Sequence, residues 1–288
     1  MTALERYVAP RALGEALELL RDGDVTIVAG GTDVMPQSHS GKMKFGRTLL
    51  NVRRIPELAG IGLEGDTVRI GALTTITGLL ESALVRERLP ILAKAADHFA
   101  SEQVRNGATV GGNVCNASPA GDMLVPLIVL DATIELAAKP NGSVEARAMP
   151  LQEFLTGPGR TRRAAHELLT AVRVPLPPRG FVSRFYKYGT RPALDIAAIS
   201  IGLGGVRRDG RLEKVRVVFG AVAPTPIRGA ATERALEGRP LDAATIEAAA
   251  QAAHDEVRPI SDVRASAWYR QELVRNMTRR LLEDVARG

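Results

Sequence analysis

The sequence is poor in cysteine and in aromatic residues, and both shortages narrow the classes of protein it can encode. Its 288 residues include a single cysteine, Cys115, and aromatic residues make up 4% of the chain. One cysteine cannot form an internal disulfide or, by itself, hold a zinc or iron–sulfur centre, which suits a reducing cytoplasm. With so few aromatic side chains, aliphatic residues and alanine must fill the core.

Long apolar segments are also missing. No stretch approaches the roughly 20 consecutive apolar residues that cross a bilayer. The first 20 residues carry early charges and lack the apolar run of a signal peptide. We therefore expect a cytoplasmic chain without a membrane span.

The charge balance is basic, with a formal net charge of +6. A basic protein can bind nucleic acid, an anionic cofactor or an acidic partner. The densest basic run, Arg160, Arg162 and Arg163, is short and contains no interleaved aromatic residue. Nucleic-acid binding is therefore not expected.

Length and turn residues indicate an α+β protein of two domains. The chain is too long for one small core, and 45% hydrophobic with 24% charged residues is ordinary for a globular protein. Three prolines and a glycine between Pro175 and Gly180 can continue neither a helix nor a sheet. We predict a first domain over residues 1–177, with subdomains of about 1–54 and 55–177, and a second over 178–288.

Periodicity assigns the main elements of both domains. Helical spacing predicts a helix over residues 12–21, and two short apolar runs, 25–28 and 48–52, complete a β-α-β-like opening. Thr75 and Asp242 are predicted helix N-caps, and Pro90 is a predicted helix start. Residues 106–122 form a long stretch rich in Gly, Asn, Ser and Pro, with a glycine-rich turn predicted over residues 108–113. Helices are predicted over 242–255 and 265–286, the second with Trp268 on its apolar face.

Two glycine-rich segments carry the chemical signal. The first, Ile27–Asp33, is a strand that breaks into Gly30-Gly31, and the second, Ala108–Asn113, contains Gly111-Gly112. Consecutive glycines let backbone amides converge on an anion, because no Cβ blocks the approach. Two such turns, brought together, predict a cradle for a diphosphate, which a bulky residue at Gly31 or Gly112 would block.

Each glycine pair alone fits an ordinary tight turn equally well. Neither segment matches the dinucleotide fingerprint G-x-G-x-x-G or the P-loop G-x-x-x-x-G-K-[ST]. A nicotinamide-binding Rossmann fold and a P-loop NTPase are therefore both disfavoured.

The motifs taken together are more specific. The order Ala29–Asp33, Thr109–Asn113 and Asn116–Asp122, continued by Leu127–Asp131 and Lys187–Ala197, resembles the FAD-binding (medium) subunit of the xanthine dehydrogenase and carbon monoxide dehydrogenase family of molybdenum hydroxylases. The resemblance covers nearly the whole chain. It implies a two-subdomain, PCMH-type FAD-binding domain, followed by a small domain of antiparallel sheet and helices like that of carbon monoxide dehydrogenase flavoproteins.

The resemblance also implies a set of FAD-binding residues. The first segment matches the family's pyrophosphate loop, the second matches the glycine loop across the diphosphate, and others match positions that pack on the cofactor or contact the ribityl chain. The implied set is Ile27, Val28, Ala29, Gly30, Gly31, Thr32, Asp33, Val34, Phe99, Thr109, Val110, Gly111, Gly112, Asn113, Asn116, Asp122, Leu169 and Lys187. Lys187 matches a basic residue beside the flavin ring, where a cation would raise the flavin's potential.

What the resemblance implies for function is an electron relay without substrate chemistry in this chain. A large molybdopterin subunit would oxidise the substrate, a small subunit with two [2Fe–2S] clusters would carry electrons, and the FAD here would deliver them to NAD, quinone or oxygen. A dimer of heterotrimers, a heterohexamer, is the implied assembly. No cysteine-rich insertion for an extra iron–sulfur cluster is present, and Thr32-Asp33 stands where carbon monoxide dehydrogenases tend to have His-Ser, which argues against carbon monoxide as substrate.

Two alternatives remain at this stage. One is a standalone flavin oxidoreductase of the same superfamily, and the other is a docking module that has lost its flavin. Cys115 fits a small buried hydrophobe better than a redox thiol, His39 fits a surface loop, and the remaining histidines lack metal-ligand spacing.

Overall fold

The structure, a computed structural model, describes residues 4–21, 23–191 and 195–287. These residues form a mixture of helices and largely antiparallel sheets, which confirms the α+β prediction. Residues 192–194 of the predicted motif Lys187–Ala197 lie outside the described residues.

The chain opens with a small parallel sheet. Strands β1 (Arg6–Val8) and β2 (Val25–Val28) both pair with β3 (Thr48–Asn51) in parallel. Helix α1 (Leu13–Arg21) packs on this sheet through Ala16, Leu17 and Leu20. The helical spacing of these apolar residues is what predicted the helix. The β-α-β opening is confirmed, whereas β1 and the short helix α2 (Val34–His39) were not predicted.

A five-stranded antiparallel sheet follows, in the order β4-β5-β10-β6-β7. Its strands are β4 (Ile61–Glu64), β5 (Thr67–Gly71), β6 (Thr133–Ala138), β7 (Glu145–Pro150) and β10 (Leu168–Pro175). A 3₁₀ helix (Pro56–Leu58) precedes it, and β8 (Leu155–Gly157) pairs with β9 (Arg160–Thr161) beside it. The helices between its strands are α3 (Ile76–Glu81), α4 (Ala83–Arg88), α5 (Pro90–Asp97), α6 (Glu102–Gly107), α7 (Val110–Asn116), α8 (Leu124–Val129) and α9 (Leu151–Phe154).

Capping residues place several of these helices where the sequence predicts them. The Thr75 hydroxyl accepts a hydrogen bond from the Gly78 amide at the start of α3, and Pro90 begins α5. The prediction of a glycine-rich turn over residues 108–113 is wrong, because Val110–Asn116 forms α7. Thr109 caps this helix, so Gly111 and Gly112 lie in a first helical turn rather than in a loop.

The C-terminal part is a second antiparallel sheet with helices. Strands β11 (Phe181–Tyr188), β12 (Ile199–Arg208), β13 (Arg211–Gly220) and β14 (Ile227–Arg228) pair in this order. Helices α10 (Ala230–Leu236), α11 (Ala243–Glu256) and α12 (Ala267–Arg287) pack with them. Asp242 caps α11 as predicted, but Trp268 of α12 is 68% exposed and does not join the apolar face.

Glycines in β12 let the two parts pack closely. A Cβ on Gly202 would lie 2.7 Å from Val129 Cγ2 and 2.9 Å from Val125 Cγ1, so α8 presses directly on this sheet. The close packing fixes β11, with Lys187 near its end, against the end of α5. In the part of the chain that the structure describes, no helix combines the length and apolarity needed to cross a bilayer.

Candidate functional site

The first glycine segment offers free backbone donors. β2 ends at Val28, and Gly31 then takes a φ of +76°, a left-handed conformation that glycine adopts without strain. Among the described residues, no acceptor is recorded for the amides of Gly30, Gly31, Thr32 and Asp33. Since α2 begins at Val34, these amides form the approach to a helix start, a favourable place for an anion.

The second segment is built differently, and this corrects the prediction that both segments present amides to an anion. The Val110 amide donates to Thr74 O and the Gly111 amide to Ala72 O, each at 2.9 Å. The Gly112 amide donates to the Thr109 hydroxyl at 3.0 Å. These donors are satisfied within the fold, so the segment contributes space and position rather than free amides.

Close backbone contacts explain why the two segments lie together. A Cβ on Gly30 would lie 2.1 Å from the carbonyl oxygen of Gly107, just before Thr109. A Cβ on Gly111 would lie 2.8 Å from Ala72, at the end of β5. In addition, the Gln37 side-chain amide donates to Asn116 Oδ1 at 3.0 Å, which ties α2 to α7.

A cavity of about 500 Å³ lies between the two segments, a volume within the range of about 300–1,000 Å³ typical of small-molecule sites. Its apolar wall includes Phe99 and Leu169, and its polar wall includes both glycine segments. Fourteen residues of the predicted set line it: Ile27, Ala29, Gly30, Gly31, Thr32, Asp33, Val34, Phe99, Thr109, Gly111, Gly112, Asn113, Asn116 and Leu169.

Four predicted residues do not line this cavity. Val28 ends β2, and Val110 is buried in the core of the five-stranded sheet. Asp122 and Lys187 lie in a buried contact between the first and second parts of the chain, which we call the Asp122–Lys187 corner. This corner adjoins the cavity through His98, because Lys187 Nζ donates to the His98 carbonyl at 3.0 Å and the next residue is Phe99.

The Asp122–Lys187 corner contains opposite charges with little solvent. Lys187 Nζ lies 2.6 Å from Asp122 Oδ2, and the two side chains are 7% and 10% exposed. Burial raises the pKa of Asp122 to about 6, and the Lys187 ammonium opposes that rise. The carboxylate is therefore costly to ionise even beside its partner.

Unpartnered polar atoms test whether these residues fit FAD. Among the described residues, Asn113 Oδ1 and Asp122 Oδ1 are buried without a hydrogen-bond partner. Buried acceptors are normally paired, so both are suited to hydroxyl or N–H donors of a ligand. Together with the free amides of the first segment and the apolar wall, they fit a cofactor with a diphosphate, a polyol chain and an aromatic ring.

The sequence prediction missed several cavity residues. The cavity is also lined by Gln37, Lys42, Cys115 and Arg163, for which no binding role was predicted. For Arg163, the available signal in the sequence was its place in the basic run of residues 160–163. Cys115 is partly buried against the core of the five-stranded sheet, and burial raises the pKa of its thiol to about 11. His39 is the last residue of α2 and is exposed, which places it on the surface as predicted.

Comparison with known proteins gives two family matches that together span most of the chain. Residues 2–177 match the FAD binding domain in molybdopterin dehydrogenase. Residues 184–285 match the CO dehydrogenase flavoprotein C-terminal domain.

Similar proteins of known identity agree with these matches. The chain is 35% identical over 281 residues to a xanthine dehydrogenase FAD-binding subunit from Escherichia coli O157:H7, covering 96% of this chain and 94% of that protein. It is 32% identical to the glyceraldehyde dehydrogenase medium chain of Sulfolobus acidocaldarius, covering 97% and 98%. Among solved structures, a chain of carbon monoxide dehydrogenase from Hydrogenophaga pseudoflava, in a form that lacks the Mo-pyranopterin moiety of its cofactor, has a TM-score of 0.91 at 33% identity, with 97% and 96% coverage.

Proposed function

The chain belongs to the FAD-binding subunits of the molybdenum hydroxylase family, and we propose that it relays electrons from iron–sulfur clusters on a partner subunit to an external acceptor. The comparisons confirm three predictions from the sequence resemblance: the family, the oxidoreductase class and FAD as cofactor. The relay, the partner chains and the binding roles of individual residues are the proposal. The observation that carries it is the cavity between the two glycine segments, with free amides on one wall.

In this proposal the first segment binds the diphosphate. The amides of Gly30 to Asp33 donate to phosphate oxygens, and the positive end of α2 adds to the attraction. Thr109 and Asn113 face the cavity from α7, and Gly112 leaves room for the phosphates. These residues hold and orient the cofactor without taking part in electron transfer.

The flavin ring is proposed to lie at the Phe99 end of the cavity, toward the Asp122–Lys187 corner. Phe99 and Leu169 exclude water from the ring, and the free Oδ1 of Asp122 accepts from a ribityl hydroxyl or a nearby N–H group. When bound, FAD supplies a redox centre that exchanges electrons in steps of one or two. The role of this chain is then to bind, orient and shield that centre.

The partners follow from the same reasoning. We propose a large molybdopterin subunit and a small subunit with two [2Fe–2S] clusters, assembled as a dimer of heterotrimers. The relatives named as medium chains or FAD-binding subunits support a multi-subunit assembly. The basic net charge favours an acidic partner surface and salt-sensitive assembly. The acceptor is NAD, quinone or oxygen, and the cytoplasmic location and the boundary near residue 177 stay predictions.

The test is purification of the chain with and without its neighbours. We expect a yellow chain whose flavin is released intact by acid and identified as FAD, and we expect no substrate turnover by the isolated chain. Addition of the co-purifying subunits should restore reduction of the flavin by substrate. A chain that stays colourless after FAD addition, or that oxidises an organic substrate alone with an artificial acceptor, would contradict the proposal.

A further inference from the structure

The cations Lys42 and Arg163 line the cavity, and neither has a role in the proposed function. Among the described lining residues only Asp33, Lys42 and Arg163 are charged. FAD carries two negative phosphates, and Asp33 adds no attraction for them. Partial desolvation raises the pKa of Asp33, although the residue as a whole is exposed. The positive charge therefore comes from Lys42, which is exposed after α2, and from the half-buried Arg163.

Arg163 is held in place by one side of its guanidinium group. Nη1 donates to the carbonyl oxygens of Ala164 at 3.0 Å, Ala165 at 3.4 Å and Glu167 at 2.7 Å. Among the described residues, no acceptor is recorded for its Nε or Nη2 groups. A guanidinium has donors along more than one edge, so the fixed side chain retains a free donor edge for a ligand.

The segment that carries Arg163 is braced from behind. The buried Glu167 carboxylate accepts from the Ala164 amide at 2.7 Å and from Arg147 Nη2 at 2.8 Å. Arg147 Nη2 also donates to the carbonyl of Arg162 at 3.0 Å. The position of Arg163 is therefore set by the fold before any ligand binds, which lowers the entropy cost of binding.

The position along α7 indicates which half of FAD lies near Arg163. The Arg163 charge acts on the Cys115 thiol, where it opposes the rise in pKa caused by burial. Cys115 lies three residues beyond Gly112 in α7, a rise of about 4.5 Å from the proposed phosphate position. Phe99, by contrast, adjoins the Asp122–Lys187 corner, where the proposed function places the flavin ring. The other half of the molecule then extends toward Arg163.

We propose that Arg163 binds the AMP half of FAD and so makes the site select FAD over FMN. The free edge of its guanidinium donates charge-assisted hydrogen bonds to the adenosine-side phosphate. A planar guanidinium can donate two parallel hydrogen bonds to a phosphate, which a lysine ammonium cannot. This inference rests on the proposed function, because it assigns the orientation of the cofactor in the same cavity.

The test compares two flavins on two variants. FAD and FMN differ by the AMP half, so each is titrated into the flavin-free chain and its affinity is measured by flavin fluorescence. Arg163→Met should raise the Kd for FAD about tenfold or more, since hydrogen bonds to charged groups are worth that much. The Kd for FMN should change less than about twofold. The matched control is Arg162→Met, at an exposed neighbour that does not line the cavity, and it should leave both values unchanged.

Three results would overturn the inference. They are an unchanged Kd for FAD in Arg163→Met, an equal loss for FAD and FMN, or an equal loss in the Arg162→Met control. Because Nη1 donates to three carbonyl oxygens, Arg163→Met could unfold the segment, and the wild-type chain provides a second measurement. Wild type should bind FAD at least about tenfold more tightly than FMN, and equal affinities would also overturn the inference. A wild-type chain that binds neither flavin would instead contradict the proposed function.

Discussion

The two ends of the proposed FAD site differ in what forms them: one is closely packed backbone and the other is a buried pair of charged side chains. The glycine-segment wall, residues 27–34 and 109–113, consists of backbone held in close contact. The Asp122–Lys187 corner consists of two buried charges brought together from positions 65 residues apart. At the wall, steric fit determines the structure, whereas at the corner the cost of burying charge dominates.

This difference predicts how each region should respond to substitution. The wall should tolerate changes of charge but not of size, because Gly30 leaves no space for even one carbon atom beside Gly107 O. At the corner the loss of a charge should be tolerated, because ionising Asp122 is already costly: burial raises its pKa to about 6. Strongly perturbed carboxylates of this kind mark functional sites more often than structural ones.

The largest expected effect is steric and lies at the wall. Gly30→Ala would place a Cβ 2.1 Å from the Gly107 carbonyl oxygen, so the two segments must separate. We expect a loss of about 3 kcal/mol in the free energy of unfolding, together with loss of FAD binding, measured by urea unfolding. The control is Gly31→Ala, which meets no atom closer than 3.7 Å and carries only the strain of its positive φ, about 1–2 kcal/mol. Equal losses in the two variants would contradict the steric account.

The next effect belongs to the corner and has the opposite sign. The folded pKa of Asp122, about 6, lies above its ordinary value near 4, so the stability tied to its protonated form is complete below pH 4 and is lost as the pH rises through 6. Asp122→Asn mimics that protonated form. We therefore expect the flavin-free variant to be more stable than wild type by about 2 kcal/mol at pH 8 and equal to it near pH 4. A variant less stable than wild type at pH 8 would show that the ion pair stabilises the fold.

A smaller effect should distinguish the wall from ordinary helix capping. Thr109 caps α7 and Thr75 caps α3 through the same bond to an amide three residues ahead, each 3.0 Å long. Thr109→Ala and Thr75→Ala should each cost about 1 kcal/mol in thermal or urea unfolding. Only Thr109→Ala should also weaken FAD binding, because Thr109 lines the cavity and Thr75 does not. Equal effects on FAD binding would remove Thr109 from the site.

The smallest expected effect concerns the predicted tuning of the flavin by Lys187. An unpaired cation beside the ring would shift the potential by tens of millivolts, but the Asp122 carboxylate lies 2.6 Å from Lys187 and offsets its charge. In Lys187→Met the buried carboxyl takes up a proton at neutral pH. We expect full FAD occupancy and a midpoint potential lowered by about 10 mV, equivalent to about 0.5 kcal/mol for two electrons. A raised potential, or loss of FAD, in a spectroelectrochemical titration would contradict this role.

Local sequence patterns were sufficient to predict several of the elements, whereas the fourteen cavity residues were implied by the family resemblance. The apolar spacing of α1 and the Thr75 and Asp242 caps act over only a few residues. The helical state of Thr109–Asn116 was missed because glycine and asparagine usually favour turns, and tertiary contacts to Ala72 and Thr74 override that preference here.

Long-range contacts account for what the sequence could not predict. The pairing of Asp122 with Lys187 depends on the packing of α8 against β12, which no local pattern encodes. The approach of Arg163 to the cavity depends on the bracing of its segment by Arg147 and Glu167. The first feature joins residues that are distant in sequence, and the second depends on an irregular segment that charged side chains hold in place.

The central claim is that the phosphates of FAD lie beside Gly112, between the two glycine segments. Gly112 tests it most directly, because it is exposed to the cavity and lies in a regular helix. The measurement is a fluorescence titration of FAD into flavin-free wild type, Gly112→Ala and Gly112→Val, with circular dichroism to check the fold. A Cβ at Gly112 would lie 2.9 Å from the Thr109 hydroxyl, so both variants also disturb the cap of α7, and Thr109→Ala is the control for that loss. We predict a modest loss of affinity for alanine, no larger than in Thr109→Ala, and loss of binding for valine, with the fold retained in both. A folded Gly112→Val chain that binds FAD as tightly as wild type would contradict the account.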